Sequence, residues 1–292
     1  MFIIDTDLGP SVSYLNGSGR GHSLVEANKR GQITCWDFDP GSLSLPLIIA
    51  HRGDASNAPE NTLPAFKSAL SLGADGVELD VRLTKDQQLV VFHDHCLGRT
   101  ASGSKPVNHY TGQEIRGLDV GSWFALDFKG ERAPTLDEVF ESLPKDFLIN
   151  VEMKTVIKGM RLIATKVAEV VRRHERWDST LAASFNPISL WELRKIEPRI
   201  FRGYIWSRRH PFPIRSRSFS PLVKPNWYDP AHDSYSPRLH RKFHARGARI
   251  LAWDLDFDQD LEQIAAARVD GIITDSLQDM LNQKTILQSA NS

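Results

Sequence analysis

The chain has 292 residues, 41% hydrophobic and 25% charged, which is long enough for one barrel-sized core and typical of a soluble globular protein. The 36 basic and 36 acidic residues balance, so no overall positive field favours nucleic acid or an anionic membrane as a partner. Two cysteines without close spacing exclude a zinc site and a disulfide framework, and the lack of a leader pattern or a long apolar run predicts a cytoplasmic protein without a transmembrane segment.

The first 44 residues differ in composition from the rest of the chain. They are rich in Gly, Ser, Asp and Asn and lack a sustained apolar period, and residues 15–21 are typical of a loop. We therefore predict an N-terminal extension over residues 1–44 and one larger domain over residues 45–292. The extension either packs on the bottom of that domain or lacks a fixed structure.

From Leu47 onward, short β-rich runs alternate with helical patterns, which is typical of βα units around a parallel sheet. Eight such runs predict an α/β protein with a closed (β/α)8 barrel, a TIM barrel. Thr135 and Glu138 form a capping box at the start of one helix, and Thr62 is the candidate N-cap of another. The predicted strands are 47–52, 76–82, 148–153, 180–185, 201–206, 222–227, 249–254 and 271–274, and the predicted helices are 62–72, 136–143, 157–174, 187–196, 236–246 and 258–267.

Two stretches are too long to be simple connections. Residues 95–134, rich in Gly, Ser, Thr and Asn, interrupt the barrel after the second strand and predict a small insertion. Residues 208–217 are basic and interrupted by proline, which favours a mobile rim over the mouth of the barrel; a solvated connection is the alternative. The arginines of this region are Arg202, Arg208, Arg209, Arg215 and Arg217.

Acidic side chains stand near the ends of two predicted strands. Glu78 and Asp80 are two positions apart, so both carboxylates project from one face of their strand, and Glu152 belongs to the next barrel strand. The C-terminal ends of barrel strands converge, and an all-carboxylate set favours Ca²⁺ or Mg²⁺ over zinc or copper. We predict that these three residues bind one divalent cation. The alternative is a solvent-facing acidic pair on a half-exposed strand.

Histidines and cations accompany these acids. His51 and Arg52 follow the first apolar run, His93 follows another, and Lys154 lies two positions beyond Glu152 on the same face. A metal site beside a proton-transfer group and cations that can hold an anion has the parts that a phosphate ester hydrolase needs. Breaking a phosphate ester requires one group that removes a proton and one that supplies a proton, and imidazole titrates near neutral pH. We predict that the two histidines are the acid and the base and that Arg52 and Lys154 hold the phosphate. Structural histidines and surface cations are the alternative.

These motifs together resemble the glycerophosphodiester phosphodiesterase family of the bacterial type, within the phosphatidylinositol phospholipase C-like barrel superfamily. The resemblance extends from about residue 47 to about residue 282. It implies a TIM barrel with a small inserted subdomain, and metal-dependent hydrolysis of a small-molecule glycerophosphodiester to an alcohol and glycerol 3-phosphate. The matching strings are His51-Arg52-Gly53, Pro59-Glu60-Asn61-Thr62, Glu78-Leu79-Asp80, Phe92-His93-Asp94, Val151-Glu152-Met153-Lys154 and Asp270-Gly271-Ile272-Ile273-Thr274-Asp275.

The resemblance also implies that Trp253 contacts the glycerol moiety, with plain barrel packing as the alternative. The usual family pattern continues Trp-Thr-Val-Asn, whereas this chain has Trp253-Asp254-Leu255-Asp256, and two extra acids bear on which leaving group is accepted.

Two alternative functions are compatible with the same barrel. One is a phospholipase C-like or D-like enzyme acting on lipid, which needs a docking surface such as residues 206–222. The other is a non-catalytic binding barrel, which loss of a ligand or a histidine would indicate.

Overall fold

The fold was analysed in a computed structural model, which describes residues 33–155, 159–210, 216–231, 236–253, 261–266 and 268–290, together with Phe212 and Ser234. Its strands are β1 (Leu47–Ala50), β2 (Gly76–Leu83), β3 (Leu89–Val91), β4 (Leu148–Met153), β5 (Thr180–Ser184), β6 (Phe201–Trp206), β7 (Trp227–Pro230), β8 (Arg249–Ala252) and β9 (Gly271–Thr274). Its α-helices are α1 (Leu63–Leu72), α2 (Gly112–Arg116), α3 (Leu136–Ser142), α4 (Met160–His174), α5 (Pro187–Ile196), α6 (Ser220–Val223), α7 (Pro237–His244), α8 (Leu261–Ala266) and α9 (Leu277–Ala290).

Eight of the strands close into a parallel barrel. Their order round the ring is β1, β9, β8, β7, β6, β5, β4, β2, and the pairing of β1 with β2 completes it. The short β3 pairs antiparallel with the outer part of β2 and lies outside the ring. The predicted (β/α)8 barrel is therefore confirmed. Among the described residues, no helix has the length and apolar character needed to cross a membrane.

The predictions for individual helix starts and strands had mixed outcomes. The capping box is present, since Thr135 accepts from the Glu138 amide while the Glu138 carboxylate accepts from the Thr135 amide. Thr62 stands at the N-cap of α1, but its hydroxyl donates to the Pro59 carbonyl instead of capping the helix. The predicted strand 222–227 is wrong, because α6 ends at Val223 and the strand begins only at Trp227. The C-terminal helix α9 was not among the predicted helices.

The bottom of the barrel, formed by the N-terminal ends of its strands, is closed by residues from before β1. Trp36 and Phe38 are fully buried and pack edge-on against Trp227 of β7. The Trp36 indole donates to the Ser179 carbonyl at 3.0 Å, and the Trp227 indole donates to the Trp36 carbonyl at 3.0 Å. The end of the predicted extension that the structure describes thus packs on the barrel bottom.

Two acids at the bottom have structural partners. Asp75 accepts from the Ile48 amide at 2.8 Å and from the Lys284 ammonium at 2.6 Å, which fastens α9 beneath β1. Asp270 accepts from the Ile250 amide at 2.8 Å and lies 2.7 Å from the Nε2 atom of His244. Both carboxylates are buried and satisfied, so they hold strand starts together.

The stretch between β3 and α3 has its own apolar cluster. It contains α2 and two turns of 3₁₀ helix, at Val107–His109 and Leu126–Phe128. An isolated bridge pairs Cys96 with Pro106. The cluster is separate from the barrel core, which fits a compact insertion beside the barrel mouth; its members include Val90, Phe92, Leu97, Val107, Ile115 and Val120.

Candidate active site

Alternation along the strands sends the predicted site residues into the mouth of the barrel, where the strands end. In β2, Glu78 and Asp80 face the interior, and the register sets Asp80 beside Glu152 of β4. All three carboxyl groups are buried, and one oxygen from each lies within 4.8 Å of the others. Oxygen ligands of a calcium ion stand about 2.3–2.6 Å from it, so ligands of one ion are at most about 5 Å apart. The spacing and the all-oxygen donor set fit one hard divalent cation.

Cationic side chains of the protein contact this cluster but offset its three carboxyl groups unevenly. Lys154 Nζ lies 2.8 Å from Glu152 Oε2 and 3.1 Å from Asp80 Oδ1. Burial and the charge of Asp80 raise the pKa of Glu78 to about 8, and burial also raises the pKa of Glu152. The pKa of Asp80 is lowered, because Lys154 and its other positive neighbours outweigh burial. Arg52 Nε also lies 3.5 Å from Asp80 Oδ2, but the raised pKa values of Glu78 and Glu152 indicate that a further cation near them would favour their ionised forms.

The His51-Arg52-Gly53 turn is built so that it can approach both β2 and α1. Arg52 has a positive φ of 55°, and its amide donates to Glu78 Oε2 at 3.1 Å. Gly53 also has a positive φ, of 83°, and a Cβ there would come within 2.7 Å of the Ala65 backbone in α1. Glycine is therefore required, since any side chain would push the turn away from the helix.

His51 is held by an acid from the far end of the chain. Its Nδ1 lies 2.8 Å from Asp275 Oδ1, and its Nε2 lies 3.9 Å from Glu78 Oε2. Burial alone would lower the pKa of His51, but the hydrogen bond to Asp275 and the charges of both acids outweigh it and raise the pKa to about 9. With Nδ1 engaged, Nε2 is the ring nitrogen available to the cavity.

His93 has the same arrangement with a different acid. Its Nδ1 lies 2.7 Å from Asp94 Oδ1, and its backbone carbonyl accepts two hydrogen bonds from Arg82, at 2.9 and 2.6 Å. Burial lowers the pKa of His93, with the positive charges of Lys154 and Arg52 acting in the same direction. The two histidines therefore differ in protonation preference, although each has its Nδ1 held by an aspartate.

A chain of ion pairs connects His93 to Arg52. Arg99, from the inserted stretch, donates to Asp94 at 2.8 and 3.0 Å and to Glu60 at 2.6 and 2.7 Å. Glu60 in turn accepts from the Arg52 guanidinium at 2.9 Å. One guanidinium thus fixes the partner of a histidine and the partner of an arginine at the same time.

Asn61 anchors the deepest of the three acids. It has a positive φ of 59°, and its side-chain amide donates to Asp80 Oδ2 at 2.9 Å while its carbonyl oxygen accepts from the Asp80 amide at 3.1 Å. The Asn61 amide itself donates to the Arg52 carbonyl at 2.9 Å. The motif around Glu60 therefore organises the first βα turn and also orients Asp80.

A cavity of about 190 Å³ opens among these groups. Its two walls differ in chemistry. One wall carries the polar groups of β1, β2 and β4, and the other, from β5 to β8, carries Phe185, Ile205, Asp229 and Trp253. The Trp253 indole donates to the Asp229 carbonyl at 3.0 Å, and Phe185 packs edge-on against it. The predicted site residues that line this cavity are His51, Arg52, Glu78, His93, Glu152, Lys154 and Trp253.

Four site residues were missed or given no chemical role by the sequence analysis: Asp275, Arg99, Phe185 and Asp229. Asp275 ends the last matched string, so its position offered a signal. Phe185 ends the predicted strand 180–185, but only a structural role was predicted for it. Arg99 offered no signal, because its contacts join distant parts of the chain. Asp229 stood in a stretch that was not predicted as strand, so its inward direction could not be inferred.

The arginines in and after β6 have different surroundings. Arg202 is buried in β6 and donates to the backbone carbonyls of Ile200 and Val223 at 2.7 and 3.2 Å. Arg217 stacks on the Trp206 ring at 4.1 Å. These two arginines are structural, and Arg208 and Arg209 are exposed. Arg215 and the acids at positions 254 and 256 lie outside the described residues.

Comparisons with known proteins agree on one family. The model of the glycerophosphoryl diester phosphodiesterase family matches residues 51–279. A glycerophosphodiester phosphodiesterase of Caldanaerobacter subterraneus is 39% identical over 239 residues, covering 81% of this chain and 96% of that protein. One from Bacillus altitudinis is 32% identical, covering 79% and 95%. Among solved structures, an Oleispira antarctica phosphodiesterase in complex with the product sn-glycerol-3-phosphate has a TM-score of 0.74 at 28% identity, covering 82% and 97%.

Proposed function

The chain belongs to the glycerophosphoryl diester phosphodiesterase family and is a phosphoric diester hydrolase, and from that premise we propose that it hydrolyses a small glycerophosphodiester to an alcohol and glycerol 3-phosphate. The observation that carries the proposal is the meeting of three elements in one cavity. These are a buried carboxylate cluster, two histidines each paired with an aspartate, and two cations.

In this proposal Glu78, Asp80 and Glu152 hold one divalent cation, Ca²⁺ or Mg²⁺. Such an ion supplies a Lewis acid that polarises the phosphoryl oxygen. The chain positions it by burying all three carboxylates and by fixing Asp80 through two hydrogen bonds to Asn61. The raised pKa of Glu78 supports the assignment, because a nearby cation would stabilise its ionised form.

His51 and His93 are proposed as the acid and base pair. Hydrolysis breaks the P–O bond to the alcohol and forms a new P–O bond to an oxygen of water, either directly or after a neighbouring glycerol hydroxyl has formed a cyclic phosphate that water then opens. One ring removes a proton from the attacking oxygen, and the other gives a proton to the departing alkoxide. Asp275 and Asp94 orient the two rings from their Nδ1 sides. Arg52 and Lys154 neutralise the phosphate, and both stand on the same wall of the cavity as the acids.

Arg99 is proposed as a positioning residue for this machinery. It touches neither the cavity nor a proposed ligand of the cation, yet its four hydrogen bonds fix Asp94 behind His93 and Glu60 behind Arg52. The small cavity, walled by aromatic side chains, supports a water-dissolved diester in preference to a lipid as the substrate.

The test is hydrolysis of glycerophosphocholine by purified protein, with glycerol 3-phosphate and choline measured separately. We expect both products in equal amounts, loss of activity after chelation, and recovery with Ca²⁺ or Mg²⁺. Glu152→Gln should prevent recovery, because it removes one charged ligand, while Glu141→Gln on the outside of α3 is the matched control. Undiminished activity of the metal-free protein, or release of phosphocholine, would contradict the proposal.

A further inference from the structure

The fold gives no structural explanation for Asp229, near the end of β7. Its side chain is fully buried, and among the described residues no group donates a hydrogen bond to either of its carboxyl oxygens. By alternation it points to the barrel interior, as Trp227 does two positions earlier. Burying a polar group without a hydrogen bond costs roughly 2–7 kcal/mol, so selection for stability alone would not keep an acid there.

The neighbouring strand is shaped to leave room for this carboxyl group. Gly203 of β6 stands next to it, and a Cβ at that position would overlap Asp229 Oδ2 and come within 3.0 Å of the Ala183 methyl group. A glycine and an alanine on two adjacent strands therefore make space for an acid on the third.

Asp229 also lies opposite the proposed phosphate-binding wall. In the ring of eight strands β7 is four strands from β2 in either direction, so it faces the carboxylates across the barrel. Asp229 lines the same cavity as His51 and Glu152, and its backbone carbonyl fixes the Trp253 indole. On the same cavity surface, Asn150 has a buried amide oxygen that likewise accepts no hydrogen bond from the described residues.

The two walls of the cavity therefore suit different parts of one molecule. The cations, the histidines and the acidic cluster suit a phosphate, while Trp253, Phe185 and Ile205 suit a short carbon chain. A carbon chain seated there would meet the side-chain oxygens of Asp229 and Asn150, which accept no hydrogen bond from the described residues. O–H and N–H groups satisfy such acceptors, and the donors that the glycerol part of the proposed substrate carries are hydroxyl groups.

We propose that Asp229 is a specificity-determining residue that binds a hydroxyl group of the glycerol moiety. The inference rests on the proposed function, since it names the part of that substrate which the wall opposite the acidic cluster recognises. A site built to hydrogen-bond a substrate hydroxyl discriminates strongly against an analogue without it, because the buried acceptor is then left unpaired.

The test compares two phosphodiesters that differ in this feature. Glycerophosphocholine has the hydroxyl groups, and bis(p-nitrophenyl) phosphate has none. We expect Asp229→Leu to lower kcat/KM for glycerophosphocholine by roughly 10- to 100-fold and to change it for the nitrophenyl ester by less than about threefold. Asp279→Asn, an exposed acid on α9, is the control. Equal losses on the two esters, or no loss on either, would overturn the proposal.

A second measurement tests the proposal if the Asp229→Leu variant does not fold. Asp229→Asn keeps the size of the side chain, and product inhibition by glycerol 3-phosphate is compared with inhibition by inorganic phosphate. We expect weaker inhibition by glycerol 3-phosphate and unchanged inhibition by phosphate; parallel changes in both would overturn the proposal. If the unmodified protein cleaved only the nitrophenyl ester, the proposed function itself would be wrong. That outcome is distinct from one in which the unmodified protein cleaves glycerophosphocholine but the Asp229 variants behave like it.

Discussion

The two ends of the barrel use the same kinds of side chain in opposite ways. At the bottom, Asp75 and Asp270 are satisfied by backbone amides, a lysine and a histidine, and aromatic rings close the interior. At the mouth, three acids lie close together beside Lys154 and Arg52, and the Asp229 carboxyl group accepts no hydrogen bond from the described residues. The bottom therefore stabilises the fold, while the mouth keeps polar groups available for a ligand at the expense of stability.

The largest effect is expected at the mouth. His51→Ala and His93→Ala should each lower kcat by roughly 10²–10⁴-fold, because each removes one of the two proton-transfer groups. The thermal unfolding midpoint should stay close to that of the parent. His109→Ala, in the 3₁₀ turn of the inserted stretch, is the control. Near-normal turnover in either variant would remove that histidine from the pair.

The opposite pattern is expected at the bottom. Trp36→Ala should lower the free energy of unfolding by roughly 3–5 kcal/mol, because it deletes a fully buried ring, while kcat of the folded protein should be unchanged. Trp123→Ala, whose ring is 43% exposed, should cost less than about 1 kcal/mol. Chemical denaturation with parallel assays checks both. A loss of kcat in the Trp36 variant without loss of stability would show that the two ends are not independent.

A smaller effect is expected from Arg99, which links the insertion to the mouth. Arg99→Met should lower kcat roughly tenfold, since the partners of His93 and Arg52 lose their shared donor, and Arg99→Lys should recover part of it. KM should change less than kcat. The control is Arg116→Met in the same insertion, which breaks an ion pair with Glu138 of α3 away from the cavity. If both methionine variants behaved alike, Arg99 would be only a surface ion pair.

The smallest effect is expected at the rim. Replacing the exposed Arg208 and Arg209 with serine should reduce kcat/KM for glycerophosphoinositol about two- to threefold more than for glycerophosphocholine, and added salt should shrink the difference. Replacing Arg238 and Arg241 on α7 makes the same change in net charge elsewhere. If kcat/KM fell by the same factor for the two substrates, the segment would be a solvated connection and not a rim that affects substrate choice.

The comparison of the two ends also explains what could be predicted from the sequence. Buried strands have apolar runs, so seven of the eight strand positions were predicted at or near their observed places. The eighth was misplaced because Leu222 and Val223 are apolar, whereas the observed β7 contains Asp229 and ends at Pro230. A strand that carries a buried acid does not have the apolar pattern on which the prediction relies.

Site residues that belong to local sequence motifs could be predicted, but their interaction partners far away in the chain could not. Glu78 and Asp80 were assigned to one face from their spacing alone. By contrast, His51 and its partner Asp275 are 224 positions apart, and nothing in either local pattern indicates that pairing. Likewise, Trp36 and Phe38 were assigned to a loop-rich extension, because two isolated aromatic residues show no period that would reveal a barrel closure.

The closure at the bottom has a consequence for the order in which the chain becomes structured during translation. Trp36 is made early, but it bonds to Ser179 and Trp227, and the Arg249 side chain bonds to the Phe38 carbonyl. At about 5–20 residues per second, these partners leave the ribosome roughly 7 to 40 seconds after the tryptophan does. The segment that holds Trp36 and Phe38 is synthesised before the barrel strands but is thus among the last to be fixed, and until then two large aromatic side chains are exposed to chaperones and to neighbouring nascent chains.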